Sequence, residues 1–389
     1  MKRRFPLPEN PPYLTSDPAH REFQYLEDIA TGYWYAQVLF TAVELDLFGC
    51  IEKGCLSSDE LAGKAGCKLP ELERLVTVLA RMDLIHDTPE GLANSQMARR
   101  FLVPGAPDYM GDFIRYRHYM QTRWHALTDT VALPERPADP CGLTPDSDYA
   151  TRNFHYVRAM DRLARLKARD IVAVLDPDAW RGPVLDLGGG AGALCRALVR
   201  SKRERGRSAS AALFDLPEVI AAARRLYPEA ARWEDIEVVE GDFRSHAFPE
   251  GRTFGLVVVS NFLHAYGAMT ARQLLFKAAA LTAEQGALLI HDYFPDRSGP
   301  RPHKGAMYDL NMLLNTYDGG CQSADTVSGW LREAGLAHIL THDLASDSTI
   351  MLAGRCQSVE DLVVPERRRW ITLDTWPAQA VRLGFNQAR

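Results

Sequence analysis

A two-domain chain, helical in its first part and built on an open α/β sheet afterwards, is predicted by three observations. The 389 residues exceed the roughly 250–300 at which a single core usually splits. From Pro183 onward the apolar runs PVLDL, SAALFD, IEVVEG, FGLVVVS and GALLIHDYF alternate with helical stretches, the pattern of a doubly wound, mostly parallel sheet. Before about residue 170 that alternation is missing and helical periodicity dominates. Hydrophobic residues at 46% and charged residues at 24% place the chain among ordinary globular proteins.

The N-terminal elements follow in order. Residues 1–20 are proline-rich and read as an arm. From Tyr25 to Leu47 the helical pattern is apolar on more than one face, which predicts a helix buried against a second subunit. Ser57 and Glu60 have capping-box spacing, and Pro70 suits the first turn of the next helix. LIHDTPEGLANS then reads as a hairpin turning at Pro89-Glu90-Gly91. The outline is a winged helix, but Glu71 and Glu73 stand where a DNA-reading helix would approach phosphates, so a scaffold for dimerisation is expected and nucleic acid is not. Residues 106–180 read as helical, interrupted by the Pro- and Asp-rich break 134–148.

Charge and cysteines narrow the class. A net charge of −5 provides no general attraction to nucleic acid or anionic lipid. No apolar run approaches the roughly 18 residues of a membrane span, and the start MKRRFPLPENPP lacks the apolar core of a secretory signal. The seven cysteines form no CxxC pair and suit free thiols, so a cytoplasmic protein is expected.

The chemistry concentrates in the second half. VLDLGGGAGAL carries a strand into Gly188, Gly189, Gly190 and Gly192 and on into a helix, where glycines admit a close ligand and the helix start offers free N–H donors. The same loop fits a loose dinucleotide fingerprint, leaving a nicotinamide or flavin enzyme open. Asp215 ends the second strand, placed to grip both hydroxyls of a ribose, which either cofactor would use. Asp242 and Phe243 in EGDF end the third strand with a carboxylate beside an aromatic, suited to an adenine and absent from the dinucleotide fingerprint.

VLDLGGGAGAL, FDLPEVI, EGDF, SNFLHAYG, GALLIHDYFPD, MYDLNMLLNTYDGG and SGWLREAGL together resemble the successive motifs of the two-domain S-adenosylmethionine-dependent O-methyltransferases, over roughly residues 25–355. The resemblance implies a winged-helix dimerisation domain followed by a Rossmann-like, seven-stranded methyltransferase sheet with a final antiparallel strand, and a homodimer. It implies S-adenosyl-L-methionine held by Gly188, Gly190, Asp215, Leu216, Asp242, Phe243 and Ser260. Trp124, Phe154 and Met160 would line the acceptor pocket.

His264 matches the family's catalytic base, and the chemistry makes that sensible. A phenol, with pKa near 10, is mostly protonated at neutral pH, and an imidazole near 6.5 can take its proton as the methyl transfers. The family usually has an aspartate directly after this histidine, whereas Ala265 stands here, so another acceptor must orient the ring. Asp292 at the end of the fifth strand is the candidate, with His291 on the opposite face of a regular strand. Asn311 and Asn315 share a helix face and could bind an acceptor hydroxyl or carbonyl.

His338 and His342 lie in a strand-like segment without further ligands, so no metal is expected. SKRERGR, 201–207, reads as a solvated loop. The expected organisation is an arm and winged helix over 1–105, a helical linker over 106–170, the methyltransferase domain over 171–356, and an extension of unassigned role over 357–389. The expected activity is methyl transfer to a hydroxyl of a small, aromatic molecule. N- or C-methylation, a non-methylating use of the cofactor, a nicotinamide oxidoreductase and a ligand-sensing regulator are the alternatives.

Overall fold

The computed structural model describes residues 21–133, 149–297, 303–344, 348–364 and 371–372. The arm 1–20, the break 134–148 and most of the tail beyond residue 364 lie outside them. The chain forms two compact units, Met1–His125 and Ala126–Arg389, so the stretch expected as a linker is shared between them.

In the first unit the single helix expected from Tyr25 to Leu47 is three: α1 (Phe23–Thr31), α2 (Tyr33–Glu44) and α3 (Leu47–Glu52). The chain breaks at Gly32 and again at Asp46, whose φ of 50° is left-handed and cannot continue a helix. Within one chain α1 and the start of α2 are not buried: Phe23 is 75% exposed and Trp34 58%. An apolar surface of that kind needs a partner to cover it.

The remaining elements are α4 (Ser58–Ala65), α5 (Leu69–Arg81), β1 (Ile85–Thr88), β2 (Gly91–Asn94), α6 (Gln96–Phe101) and α7 (Gly111–His125). The capping box forms, with the Ser57 hydroxyl accepting the Glu60 N–H at 3.2 Å and the Glu60 carboxylate accepting the Ser57 N–H at 3.1 Å. β1 and β2 pair antiparallel with Thr88 opposite Gly91. Gly91 has φ of +113°, and a Cβ there would meet the Leu56 carbonyl oxygen at 2.4 Å, so only glycine fits. Leu47, Phe48, Leu61, Leu79 and Ile85 fill the core of this unit.

The second unit begins with α8 (Leu127–Ala132) and α9 (Tyr149–Val172). Its sheet then forms from β3 (Val184–Leu187), β4 (Ala211–Asp215), β5 (Ile236–Glu240), β6 (Phe254–Ser260), β7 (Thr282–Asp292), β8 (His338–Asp343), β9 (Thr349–Gly354) and β10 (Ile371–Thr372). Across the sheet the order is β10-β8-β9-β7-β6-β3-β4-β5. The seven expected strands are present, with β9 inserted antiparallel between β7 and β8, and the two-residue β10 adds an eighth on the β8 edge.

Helices α10 (Ala193–Glu204), α11 (Pro217–Leu226), α12 (Ala268–Ala280), α13 (His303–Asn315) and α14 (Ala324–Glu333) complete this unit. Strands such as LLI and VVV bury both faces under helices, which is why they read as continuous apolar runs. The start of the C-terminal extension belongs to this core, since Val359, Leu362 and Val363 pack with Trp180 and Leu175.

Register levels the strand ends. Leu187 stands opposite Phe214 on one side and Val259 on the other, and Ser260 opposite His291. The glycine loop, Asp215 and the loop beyond Ser260 therefore emerge along one rim, where open α/β sheets bind ligands.

Candidate active site

The glycine loop is fixed from both sides. Gly188, Gly190 and Gly192 all have positive φ. A Cβ at Gly188 would lie 2.3 Å from the Phe262 ring, so that glycine is required by the aromatic packed on it, whereas at Gly190 nothing lies within 4 Å. Gly190 donates its N–H to Asp215 Oδ2 at 2.7 Å, and Leu216 donates to Oδ1 at 2.8 Å. Burial pushes the Asp215 carboxyl up to about 6 despite those two amide bonds. Leu216 stands out from the surface at 38% exposure, an apolar side chain beside the acid. A rim with free space above a glycine, a half-buried acid at a strand end and an exposed aliphatic neighbour fits an adenosine-bearing cofactor.

The third strand's end is partly as expected. Asp242 sits at the surface and is held by Arg244, whose Nη2 lies 2.6 Å from Oδ2 and whose backbone N–H reaches Oδ1 at 2.9 Å. Its carboxyl is held below the usual range by that guanidinium. Phe243 is only 3% exposed and packs edge-on to Phe214 and Phe262 in the core. The strand ends at Glu240 and the chain turns from Asp242, with the Ser245 and His246 N–H groups bonded to the Asp242 carbonyl. Burial and the neighbouring carboxylates Asp242 and Asp215 push the nearby Tyr266 hydroxyl up.

Beyond β6 the chain turns sharply. Asn261 adopts a left-handed φ of 50°, which asparagine tolerates, and its N–H bonds to the His291 carbonyl at 2.8 Å. A 3-10 turn, Leu263–Ala265, then sets His264 against β7. His264 Nδ1 lies 2.5 Å from Asp292 Oδ1, and its backbone N–H is 3.4 Å from Oδ2. Tyr293 donates its N–H to the same Oδ1 at 2.8 Å, fixing the carboxylate. A carboxylate accepts, so Nδ1 carries the hydrogen and Nε2 keeps its lone pair. Among the described residues Nε2 has no hydrogen-bond partner, and it is not sealed in.

Aromatic rings frame that imidazole. Tyr308 of α13 meets it edge-on at 5.2 Å and stacks on Tyr293 at 3.9 Å. Neither tyrosine was predicted from the sequence; the only signal was the position of Tyr308 one turn before Asn311. Asn311 is 92% buried, and Asn315 donates to its Oδ1 at 2.9 Å, leaving Asn315 Oδ1 buried without a partner among the described residues.

The other expected pocket residues are dispersed. Trp124 is half-buried and belongs to the first unit. Phe154 is half-buried and packs with Val157, Ala191, Ala222 and Ala223, with the Arg225 guanidinium 4.0 Å over its ring. Met160 is half-buried and lies two turns before Lys167 on one face of α9, the face that reaches Tyr293. His291 turns to the face opposite Asp292, bonded to Ser260 and Ser348. No cluster able to hold a metal occurs among the described residues.

The chain resembles known proteins over most of its length. An O-methyltransferase domain family matches residues 142–337 and an O-methyltransferase dimerisation domain family matches residues 27–104. The chain is 28% identical over 327 residues to 3-hydroxy-5-methyl-1-naphthoate 3-O-methyltransferase of Streptomyces sahachiroi, covering 82% of this chain and 91% of that protein. It is 27% identical to the phenazine O-methyltransferase of Lysobacter antibioticus, covering 74% and 84%. Human N-acetylserotonin methyltransferase, solved in complex with S-adenosylmethionine, superposes with a TM-score of 0.74 at 22% identity, covering 87% of this chain and 99% of that one. No helix among the described residues is long and apolar enough to cross a membrane. The chain belongs to the S-adenosylmethionine-dependent O-methyltransferases that carry an N-terminal dimerisation domain.

Proposed function

We propose that this methyltransferase acts on a hydroxyl of a small aromatic molecule, with His264 as general base. The observation that carries the reading is the 2.5 Å contact between His264 Nδ1 and Asp292, which leaves Nε2 as the accepting nitrogen on the ligand rim. When bound, S-adenosylmethionine supplies an electrophilic methyl group on a sulfonium. Nε2 takes the proton of the acceptor hydroxyl as the oxygen gains its new bond to carbon, and Asp292 steadies the imidazolium that results. Phe262, Tyr293 and Tyr308 keep water from the reacting oxygen, which favours a step in which charge is lost.

Gly188, Gly190, Asp215 and Leu216 are assigned to the methionine, ribose and adenine sides of the cofactor. Asp242, steadied by Arg244, and Ser260 complete that rim. Asn311 and Asn315 are assigned to the acceptor's polar substituents. The aromatic class of acceptor is supported by the naphthoate and phenazine substrates named for the relatives. We assign a homodimer formed through α1 and α2, whose exposed Phe23, Leu26 and Trp34 support it, and a cytoplasmic location, supported by six free cysteines among the described residues.

Replacement of His264 by alanine tests the reading. Turnover is expected to fall roughly 10²–10⁴-fold while S-adenosylhomocysteine affinity measured by calorimetry stays the same. Near-normal turnover would remove the base assignment.

A further inference from the structure

Behind the rim, four side chains from distant parts of the sequence form one hydrogen-bonded line, and methyl transfer as proposed uses none of the inner three. Lys167 Nζ donates to Ser348 Oγ at 2.9 Å. Ser348 Oγ lies 2.8 Å from His291 Nε2, and His291 Nδ1 lies 2.8 Å from Ser260 Oγ. Lys167, Ser348 and His291 are 5%, 1% and 0% exposed, while Ser260 is half-buried at the end of β6.

The direction of this line follows from the chemistry of its members. An ammonium can only donate, so Ser348 Oγ accepts at Lys167. If His291 also donated to that oxygen through Nε2, the Ser348 hydrogen would be buried with no acceptor among the described residues, an arrangement proteins avoid. Burial, reinforced by Lys167, pushes the His291 imidazole down to about 3, so the ring is neutral and has one hydrogen to place. Every hydrogen is used only when Ser348 donates to Nε2 and Nδ1–H donates to Ser260 Oγ. The Ser260 hydrogen is then turned outward, and the cation at the far end polarises the whole line.

Ser260 stands beside the glycine loop, because Val259 pairs with Leu187 and the next residues on each strand are Ser260 and Gly188. We infer that Lys167, Ser348 and His291 are positioning residues that lock the Ser260 hydroxyl as a hydrogen-bond donor to the carboxylate of the cofactor's methionine moiety. The inference rests on the assignment of Gly188 and Ser260 to the cofactor rim. A donor polarised by a cation favours an anionic acceptor, and that carboxylate is the anionic group of the cofactor.

Two nucleosides separate this role from general support of the fold. S-adenosylhomocysteine carries the amino-acid carboxylate, and 5′-methylthioadenosine lacks it. Lys167→Met and Ser260→Ala should each weaken S-adenosylhomocysteine roughly tenfold and leave 5′-methylthioadenosine unchanged. The double variant should be no weaker than Ser260→Ala, and Lys167→Arg should restore part of the loss. Nitrogen-15 NMR should find His291 as the Nδ1–H tautomer in the wild type, shifting toward Nε2–H in Lys167→Met. If Lys167→Met does not fold, Ser348→Ala interrupts the same line by removing one oxygen.

Equal weakening of both nucleosides, additive losses in the double variant, or a wild-type Nε2–H tautomer would overturn the inference. Wild-type binding of neither nucleoside would overturn the rim assignment itself, whereas the tautomer measurement judges the line alone.

Discussion

His264 and His291 are both buried, and Asp292, the partner of the first, directly follows the second in the chain, yet the two are built for different work. His264 gives one nitrogen to a carboxylate and keeps the other open on the rim. His291 spends both nitrogens on serine hydroxyls inside the sheet. The difference is set by alternation along β7: Asp292 turns to one face and His291 to the other, so a single strand supplies the partner of one imidazole and hides the second. Burial alone does not make a histidine a base; an oriented ring with a spare nitrogen does.

The largest effect expected on this contrast comes from Asp292→Asn. An amide can present its oxygen or its NH2 to Nδ1, so the tautomer is no longer fixed, and turnover should fall roughly 10²–10⁴-fold with cofactor affinity retained. Steady-state kinetics beside calorimetry would check it. His291→Ala should act in the opposite pattern. Thermal and denaturant unfolding should report a loss of about 2–4 kcal/mol from the cavity and the broken serine bonds, with a turnover at saturating cofactor that stays within severalfold of the wild type. Asp215→Asn should reduce S-adenosylhomocysteine affinity roughly tenfold and spare both histidines' environments, which NMR of the imidazoles can follow.

The smallest effect concerns Asp186, which lies 1% exposed under the glycine loop. Burial pushes its carboxyl up to about 7, against one N–H from Cys195 at 3.1 Å. The folded chain therefore holds this proton more tightly than the unfolded one, where the group titrates near 3.8. Its contribution to stability is full below about pH 4 and declines as pH rises toward 7. Asp186→Asn should remove that decline, raising Tm at pH 8 relative to pH 5 by about 2–4 °C compared with the wild type. An unchanged gap between the two pH values would contradict it.

The cofactor half of the rim was legible in the sequence because each of its parts sits directly at a strand end. Glycines, Asp215 and Asp242 follow their apolar runs without interruption, and parallel register brings those ends level. The winged-helix outline was legible for a similar reason, since the capping box and the Pro89-Glu90-Gly91 turn are local signals. Asp292 could be proposed as the partner of His264 because Ala265 supplies no acceptor and Asp292 ends the fifth strand, with alternation turning His291 to the other face.

The acceptor half was less legible because its contacts join segments far apart. Tyr308 meets His264 from a helix more than forty residues on, and behind the cofactor side Lys167 likewise reaches Ser348 across 181 residues. No spacing rule predicts either contact. Phe154 shows the limit on a helix: the resemblance implied a pocket wall, but nothing in the sequence says that its ring packs with Ala222 and Ala223 of α11. Phe243 shows the limit beyond a strand end, where the residue beside Asp242 packs inward.

The most direct test of the central claim is a crystal structure with S-adenosylhomocysteine and a phenolic acceptor bound together. The account predicts the acceptor oxygen about 2.6–3.2 Å from His264 Nε2 and the ribose hydroxyls on Asp215. An acceptor oxygen seated elsewhere, with Nε2 turned into the protein, would contradict it.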